Sequence, residues 1–254
     1  MAFPAPVHCA FFDVDETLIR RKSMAGFLQH YLDTAVDLPD RDADELRRGA
    51  ARLTRRTAGS GWRGRAALNR EYYRLFRGHR YDRLRAAGRD WFAAQSRRGD
   101  LYHPGVRAAL ADHRARGFRI VLVSGSFAPC LEPIAEDVGA DLAVGARLLE
   151  YEGVLTGEIR QPVIGRGKAA AARRALESFG ASPGGSYAYG DHISDLPLLR
   201  SIGHPVVVGG HGLLGRCAGV AGWPVIATRP SDPPVDHDPP LLAAADPTGQ
   251  QGVA

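Results

Sequence analysis

The feature that most constrains this chain is an alternation of strands and helices that is interrupted once, near its start. The apolar run from Val7 to Val14 (VHCAFFDV) ends in acidic residues, as a buried parallel strand does. No comparable run follows until FRIVLVSGS, which begins at Phe118. Between them, MAGFLQHYLDTAV, DADELRRGAARLTRR, RAALNREYYRLF and YDRLRAAGRDWFAAQS place apolar residues at three- and four-residue spacings, with Gly59, Gly61, Gly78 and Gly99 as punctuation. This stretch reads as an all-helical insertion with no strand from about residue 20 to residue 100.

After His103-Pro104-Gly105 the alternation becomes regular. Helix VRAALADHRARG precedes the FRIVLVSGS strand, and helix PCLEPIAEDVG follows it. LAVGARLLEYEGVLTGEI alternates like two paired strands around Glu152-Gly153. Helix KAAAARRALESFG, strand SYAYGD, helix ISDLPLLRSIG, strand PVVVG, helix LLGRCAG and strand WPVIA complete the series. Strands separated by helices of this length predict an α/β fold, a Rossmann-like doubly wound parallel sheet with helices on both faces. The expected division is a core from residues 1–20 and 101–228, a helical insertion at 21–100 and a tail at 229–254. Six Pro in that tail, with little patterned apolar content, read as disordered or loosely attached.

Composition narrows the class. At 254 residues the chain can bury a sizeable core without disulfides or structural metal. Its three cysteines, Cys9, Cys130 and Cys217, are odd in number and widely spaced, which excludes a disulfide framework or a cysteine-zinc site as the organising principle. No apolar run approaches the roughly 20 residues needed to cross a bilayer. No basic region precedes the short apolar start, so the expected home is the cytoplasm, with no membrane partner. The charge is lopsided. From Arg47 to Arg98 there are sixteen Arg against three acids, in a chain of net charge +5. The insertion is therefore strongly basic and the remainder acidic. Arg outnumbers Lys so heavily that the only lysines are Lys22 and Lys168. A GC-rich coding background accounts for the general bias, but not for the two exceptions.

In open α/β sheets ligands bind outside the carboxyl ends of the strands. Those ends carry Asp13-Val14-Asp15-Glu16-Thr17, Ser124-Gly125-Ser126 and Gly190-Asp191-His192-Ile193-Ser194-Asp195, and Lys168 opens a helix after Gly165-Arg166-Gly167. Carboxylates from two strands, Asp13 and Asp191, can hold a hard cation such as Mg²⁺. An aspartate can attack phosphorus, and a second carboxylate two residues on can protonate a leaving oxygen and then activate water. A hydroxyl, an ammonium and backbone N–H groups stabilise charge on phosphoryl oxygens. Each string alone has a bland reading: a chance D-x-D-x-T, a turn, a helix cap, a surface lysine. The order and placement of all four together point to phosphoryl chemistry.

With these residues the chain resembles the haloacid dehalogenase-like (HAD) superfamily, and within it the phosphoserine phosphatase-like branch (subfamily IB). The resemblance rests on DVDET at 13–17, VSGSF at 123–127, Lys168, GDHISD at 190–195 and the helical insertion after the first strand, where that branch carries its cap. It implies Asp13 as nucleophile and Asp15 as general acid/base. It implies Ser124, Gly125 and Lys168 around the phosphate, and Mg²⁺ held by Asp13, the Asp15 carbonyl and Asp191, with Asp195 in support. The implied substrate is a small-molecule phosphomonoester. Two positions depart from phosphoserine phosphatases. Lys22 stands nine residues after Asp13, where those enzymes typically place a Glu near the substrate's amino group, and Ser194 replaces their usual Asn. Lys22 and Ser194 are accordingly candidate substrate contacts. Phosphoserine phosphatase proper is the alternative within the family. A nucleic-acid-binding protein using the Arg-rich helices is the alternative from another class, disfavoured by the full catalytic set. The sequence leaves the oligomeric state open.

The remaining conspicuous residues have structural readings. His192 reads as a loop histidine satisfied by backbone, Cys130 as a buried thiol, and Trp62, Tyr72, Tyr73, Phe76, Trp91 and Phe92 as core of the insertion.

Overall fold

A computed structural model describes residues 6–34, 40–57 and 62–228. The tail expected at 229–254 lies outside the described residues, as do the side chain of Trp62 and two short segments of the insertion. The sheet has seven strands: β1 (Cys9–Phe12), β2 (Arg119–Phe127), β3 (Leu142–Tyr151), β4 (Val154–Gln161), β5 (Tyr187–Gly190), β6 (His204–Val208) and β7 (Val225–Ile226). Their spatial order is β4-β3-β2-β1-β5-β6-β7. All neighbours are parallel except β3 and β4, the hairpin that turns at Glu152-Gly153. The helices of the insertion are α1 (Ser23–Thr34), α2 (Asp40–Thr57), α3 (Trp62–Arg74) and α4 (Tyr81–Ser96). The crossover helices are α5 (Pro104–Ala115), α6 (Ala128–Val138), α7 (Arg166–Phe179), α8 (Leu196–Leu199) and α9 (Gly212–Ala221). No strand occurs among the described residues of the insertion. This is the doubly wound α/β sheet with helical insertion that the strand pattern predicts.

Side-chain alternation sorts the two faces. In β1, Cys9 and Phe11 join one apolar cluster with Val121, Val123, Ala172, Leu176 and Leu214, under α7, α8 and α9. Ala10 and Phe12 point the other way, with Ile120 and Leu122, toward α5 and α6. That second cluster runs without a break into Phe27, Tyr72, Tyr73, Phe76, Leu84 and Trp91 of the insertion. Phe127, the last residue of β2, is where the two meet. Its ring lies 5.5 Å from Phe27, 6.1 Å from Tyr72, 5.3 Å from Tyr73 and 5.7 Å from Phe76. Tyr72, Tyr73, Phe76 and Trp91 are buried as the helical spacing predicts, and Phe92 is half-buried. They are more than an internal core, because they weld the insertion to the sheet. Gly88 on α4 permits this close approach: a Cβ there would lie 1.9 Å from the Pro129 carbonyl oxygen at the start of α6.

The insertion also covers the sheet's edge. Gly78 donates its N–H to the Leu155 carbonyl, Leu155 donates to His79, and Tyr81 donates to Gly153. An edge strand that would otherwise present unpaired backbone groups is thus closed by the link between α3 and α4. The two chain crossings at the other end are paired as well, Arg20 N–H to the Leu101 carbonyl and His103 N–H to Leu18.

Beneath the sheet, His113 on α5 is fully buried, with Nε2 2.7 Å from the Tyr189 hydroxyl and its ring centroid 4.5 Å from that of Tyr187 in a tilted arrangement. Burial, aided by the Arg116 charge, lowers its pKa to about 4. The unfolded chain therefore binds a proton between about pH 6.5 and 4 that the folded chain refuses, so stability falls as pH drops through that window. The shift corresponds to about 3 kcal/mol. Urea melts from pH 7 to 4.5 should show this loss in wild type and a flatter profile in His113→Gln. Equal slopes in the two proteins would remove His113 as the cause.

Candidate active site

The strand order reverses between β1 and β5: from β1 the chain winds outward through β2 and β3, then returns to place β5 on β1's other side. At such a switch point the crossover connections diverge and leave a crevice at the strand ends. Asp13 follows β1 and Asp191 follows β5, so both stand over it. The turn after Asp13 is tight. Leu18 and Ile19 both donate to the Val14 carbonyl, and Glu16 adopts a φ of 62°, the left-handed region that a side chain rarely occupies. Such strain at a sheet's ligand-binding end accords with a functional turn. It brings the buried Thr17 hydroxyl to 2.9 Å from Asp191 Oδ1 and 3.5 Å from Asp13 Oδ2.

Lys168, in the first turn of α7, reaches into the crevice. Its Nζ lies 2.6 Å from Asp13 Oδ1 and 2.6 Å from Asp195 Oδ1, and the three side chains are at most 8% exposed. Asp195 is placed by the turn after β5, whose residues Ile193–Asp195 form a 3₁₀ turn. The His192 N–H donates to Asp195 Oδ2, while His192 Nδ1 accepts from the Ser194 N–H. Gly190 admits this turn, since a Cβ there would sit 2.7 Å from Cβ of Asp195. Asp13, Asp191 and Asp195 bring carboxylate oxygens within 4.8 Å of one another.

Three carboxylates around one ammonium leave a surplus of negative charge. Burial pushes Asp13 above the usual carboxylate range, with Asp195 and Asp191 adding to it and Lys168 opposing. Burial and then Asp195 raise Asp191 to about 6, against the Thr17 hydrogen bond. For Lys168 burial disfavours the charge, but Asp13 and Asp195 outweigh it and the ammonium is held more firmly than in water. Asp195 spends its oxygens on Lys168 and His192, which leaves Asp13 and Asp191 to offer oxygen to a cation. An oxygen-only donor set with unbalanced negative charge suits a hard divalent ion.

A second group lies on the β2 side. The Ser23 N–H, at the start of α1, donates to Asp15 Oδ1 at 2.9 Å, and the Ser23 hydroxyl donates to Ser126 Oγ at 3.0 Å. The Ser126 N–H in turn donates to Ser124 Oγ at 3.1 Å. Burial raises Asp15 against the Ser23 hydrogen bonds. Cys130 beside this chain is fully buried and its thiol is pushed up by that burial, so it is an inert neighbour, as read from the sequence. From α3, Asn69 Nδ2 and the Tyr73 hydroxyl both donate to the Gly125 carbonyl, at 3.1 and 2.7 Å.

The structure thus joins Asp13, Lys168, Asp191 and Asp195 directly, and links Asp15 to Ser124 through Ser23 and Ser126. Of the two candidate substrate contacts, Ser194 lies in the turn that places Asp195 and Lys22 directly precedes Ser23. Lys22 is more than half exposed, 3.3 Å from Glu16, and Ser194 is buried against His192. The arginines between Arg47 and Arg98 whose side chains are described are exposed, and Arg21 is half-buried. Several face acids: Arg74 and Arg77 pair with Glu158, and Arg85 with Glu132. Thr17, Ser23, Ser126, Asn69 and Tyr73 escaped the sequence reading. Thr17 and Ser126 lie inside the quoted motifs and were within reach of it. Asn69 and Tyr73 were not, since they touch the end of β2, more than fifty positions away.

The fold and site together define a phosphoryl-transfer hydrolase with a helical insertion. Residues 10–200 match the family model for haloacid dehalogenase-like hydrolases. The "Probable phosphatase Rv3661" of Mycobacterium tuberculosis is 33% identical over 232 residues, covering 87% of this chain and 76% of its own. The "Inhibition of morphological differentiation protein" of Streptomyces azureus is 31% identical over the same length, covering 87% and 78%. Among solved structures, a Bordetella pertussis protein of unknown function superposes with a TM-score of 0.74 at 24% identity, covering 89% of this chain and all of that one. A phosphoserine phosphatase in its apo form superposes with a TM-score of 0.58 at 16% identity, covering 88% and 94%. These two likenesses show the shared fold. The chain belongs to the haloacid dehalogenase-like hydrolases and is a hydrolase of the phosphatase type.

Removing the central cation should expose the charge surplus. Lys168→Met leaves Asp13 and Asp195 buried without their partner, which costs about 3–5 kcal/mol at neutral pH. Urea denaturation should show that loss. A change below about 1 kcal/mol would mean that the carboxylates do not depend on the ammonium.

Proposed function

We propose that this protein hydrolyses a phosphomonoester of a small metabolite through an aspartyl-phosphate on Asp13, with Mg²⁺ as its metal. The observation that carries the reading is the buried Lys168 ammonium shared between Asp13 and Asp195, with Asp191 alongside, at the switch point of the sheet. Asp13, the Asp15 carbonyl and Asp191 would hold the ion. When bound, Mg²⁺ supplies positive charge that lets a phosphate dianion approach these carboxylates. Asp13 attacks phosphorus, so that an Asp13 O–P bond forms while the ester P–O bond breaks. Asp15 gives its proton to the departing oxygen, and its burial favours carrying that proton beforehand. The Asp15 carboxylate then takes a proton from water, which attacks phosphorus and releases phosphate and free Asp13. Lys168, the Ser124 hydroxyl and the Gly125 N–H stabilise charge on the phosphoryl oxygens throughout.

On the substrate, Lys22 favours a leaving group bearing hydroxyl, carboxylate or further phosphate over phosphoserine, whose ammonium it would repel. The nucleic-acid reading loses further ground, because Arg74, Arg77 and Arg85 are engaged in fastening the insertion to Glu158 and Glu132. Three free cysteines, two of them buried, accord with a reducing cytoplasm, and no described helix is long and apolar enough to cross a membrane.

A panel of phosphorylated metabolites, assayed for phosphate release with Mg²⁺ and with chelator, tests the reading. Turnover should require the metal, and Asp13→Asn should abolish it while the fold survives. Beryllium fluoride should form its adduct on Asp13. Activity in excess chelator or in Asp13→Asn would overturn the mechanism. Phosphoserine as the best substrate, or an unchanged ranking in Lys22→Glu, would overturn the substrate class.

A further inference from the structure

We infer that Asn69 and Tyr73 of the insertion are positioning residues that set the phosphate-binding hydroxyl of Ser124 through one peptide group, the Gly125–Ser126 link. The inference rests on the proposed role of Ser124 as a phosphate contact. The Gly125 carbonyl accepts from Asn69 Nδ2 at 3.1 Å and from the Tyr73 hydroxyl at 2.7 Å. Both donors come from α3, and both side chains are buried. The peptide is planar and trans, so its carbonyl and its N–H point in opposite directions. Fixing the Gly125 oxygen toward α3 therefore aims the Ser126 N–H away from the insertion. It meets Ser124 Oγ at 3.1 Å. A hydroxyl oxygen that accepts this hydrogen bond has one of its two lone pairs engaged, and its own proton remains to be donated elsewhere, to a phosphoryl oxygen.

The other side of the peptide is constrained too. Ser126 Oγ accepts from the Ser23 hydroxyl, so the residue after the peptide is tied to α1 while the residue before it is tied to α3. Two helices of the insertion thus grip the end of β2 on either side of the peptide that orients the Ser124 hydroxyl. Asn69 and Tyr73 direct their donors at the Gly125 carbonyl, so they act on phosphate only at second hand. Their influence passes through the end of β2. A Gly125 carbonyl left with one donor would swing more freely, and the Ser124 hydroxyl would lose its fixed direction with it.

Tyr73→Phe removes only the hydroxyl and keeps the ring against Phe127, and Asn69→Leu keeps the volume. Each is made in wild type and in Ser124→Ala, and each protein is measured twice with Mg²⁺ present. The readings are kcat/KM on p-nitrophenyl phosphate and the Kd of inorganic phosphate by calorimetry. Each single variant should lose about 5–30-fold in kcat/KM and weaken phosphate, while in the Ser124→Ala background the same change should add less than about twofold. A merely structural role would multiply with Ser124→Ala, because general loosening does not depend on that hydroxyl. Multiplied losses, or variants indistinguishable from wild type in both readings, would overturn the inference while leaving the phosphatase reading intact. A wild type that neither turns over an ester nor binds phosphate would overturn the phosphatase reading, and this inference with it.

Discussion

A lysine ammonium buried between two carboxylates is the interaction on which the rest of the site depends. Lys168 comes from α7, Asp13 from the end of β1 and Asp195 from the turn after β5, so one charge draws three separate pieces of chain to a point. Desolvating such groups costs several kcal/mol each, and only close mutual contact offsets it. The surrounding structure serves that contact. Gly190 lets Asp195 fold back, the His192 N–H takes Asp195's second oxygen, and Thr17 steadies Asp191 against the residual repulsion. What remains uncancelled is negative charge at the sheet's open end, which is the condition under which a divalent cation and then a phosphate gain most by binding.

The insertion is built into the same structure. Its apolar residues belong to one cluster with the α5–α6 face of the sheet, its α3–α4 link pairs with the β4 edge, and its helices reach the end of β2 with Ser23, Asn69 and Tyr73. Phe127 is the structural reason these contacts coincide. It ends β2 two residues after Gly125, and four insertion rings pack around it. The packing that buries those rings also holds α3 at hydrogen-bonding distance from the Gly125 carbonyl.

Much of this was legible in the sequence, for particular reasons. The strands of a parallel sheet are buried on both faces and so read as continuous apolar runs, and FRIVLVSGS and PVVVG fall on β2 and β6. The Glu152-Gly153 turn between β3 and β4 was visible because turn residues interrupt alternation. Asp13, Asp191 and Lys168 could be singled out because strand and helix ends are where an α/β sheet places its ligands. What pattern could not supply was contact between distant positions. Nothing in RAALNREYYRLF marks Asn69 and Tyr73 apart from their neighbours, since their partner is a carbonyl that every residue possesses. Burial of the tyrosines was foreseeable from spacing, whereas the use of one hydroxyl was not. The charge of the insertion shows the opposite limit, because a count of arginines carries no direction, and those described between Arg47 and Arg98 face outward.

The two lysines show why direction matters more than count. Lys22 and Glu16 form a pair on the surface, more than 40% exposed on both sides, where water screens most of the attraction. Lys168 meets its carboxylates at 2.6 Å with almost no exposure. An arginine would serve at the first place as well as a lysine. At the second, a planar guanidinium with five donors would need acceptors spread along its edge, whereas Asp13 Oδ1 and Asp195 Oδ1 converge on a single nitrogen. A compact ammonium is the cation that fits between them. In a chain that otherwise uses Arg, the geometry of that crevice is a sufficient physical reason for Lys at position 168.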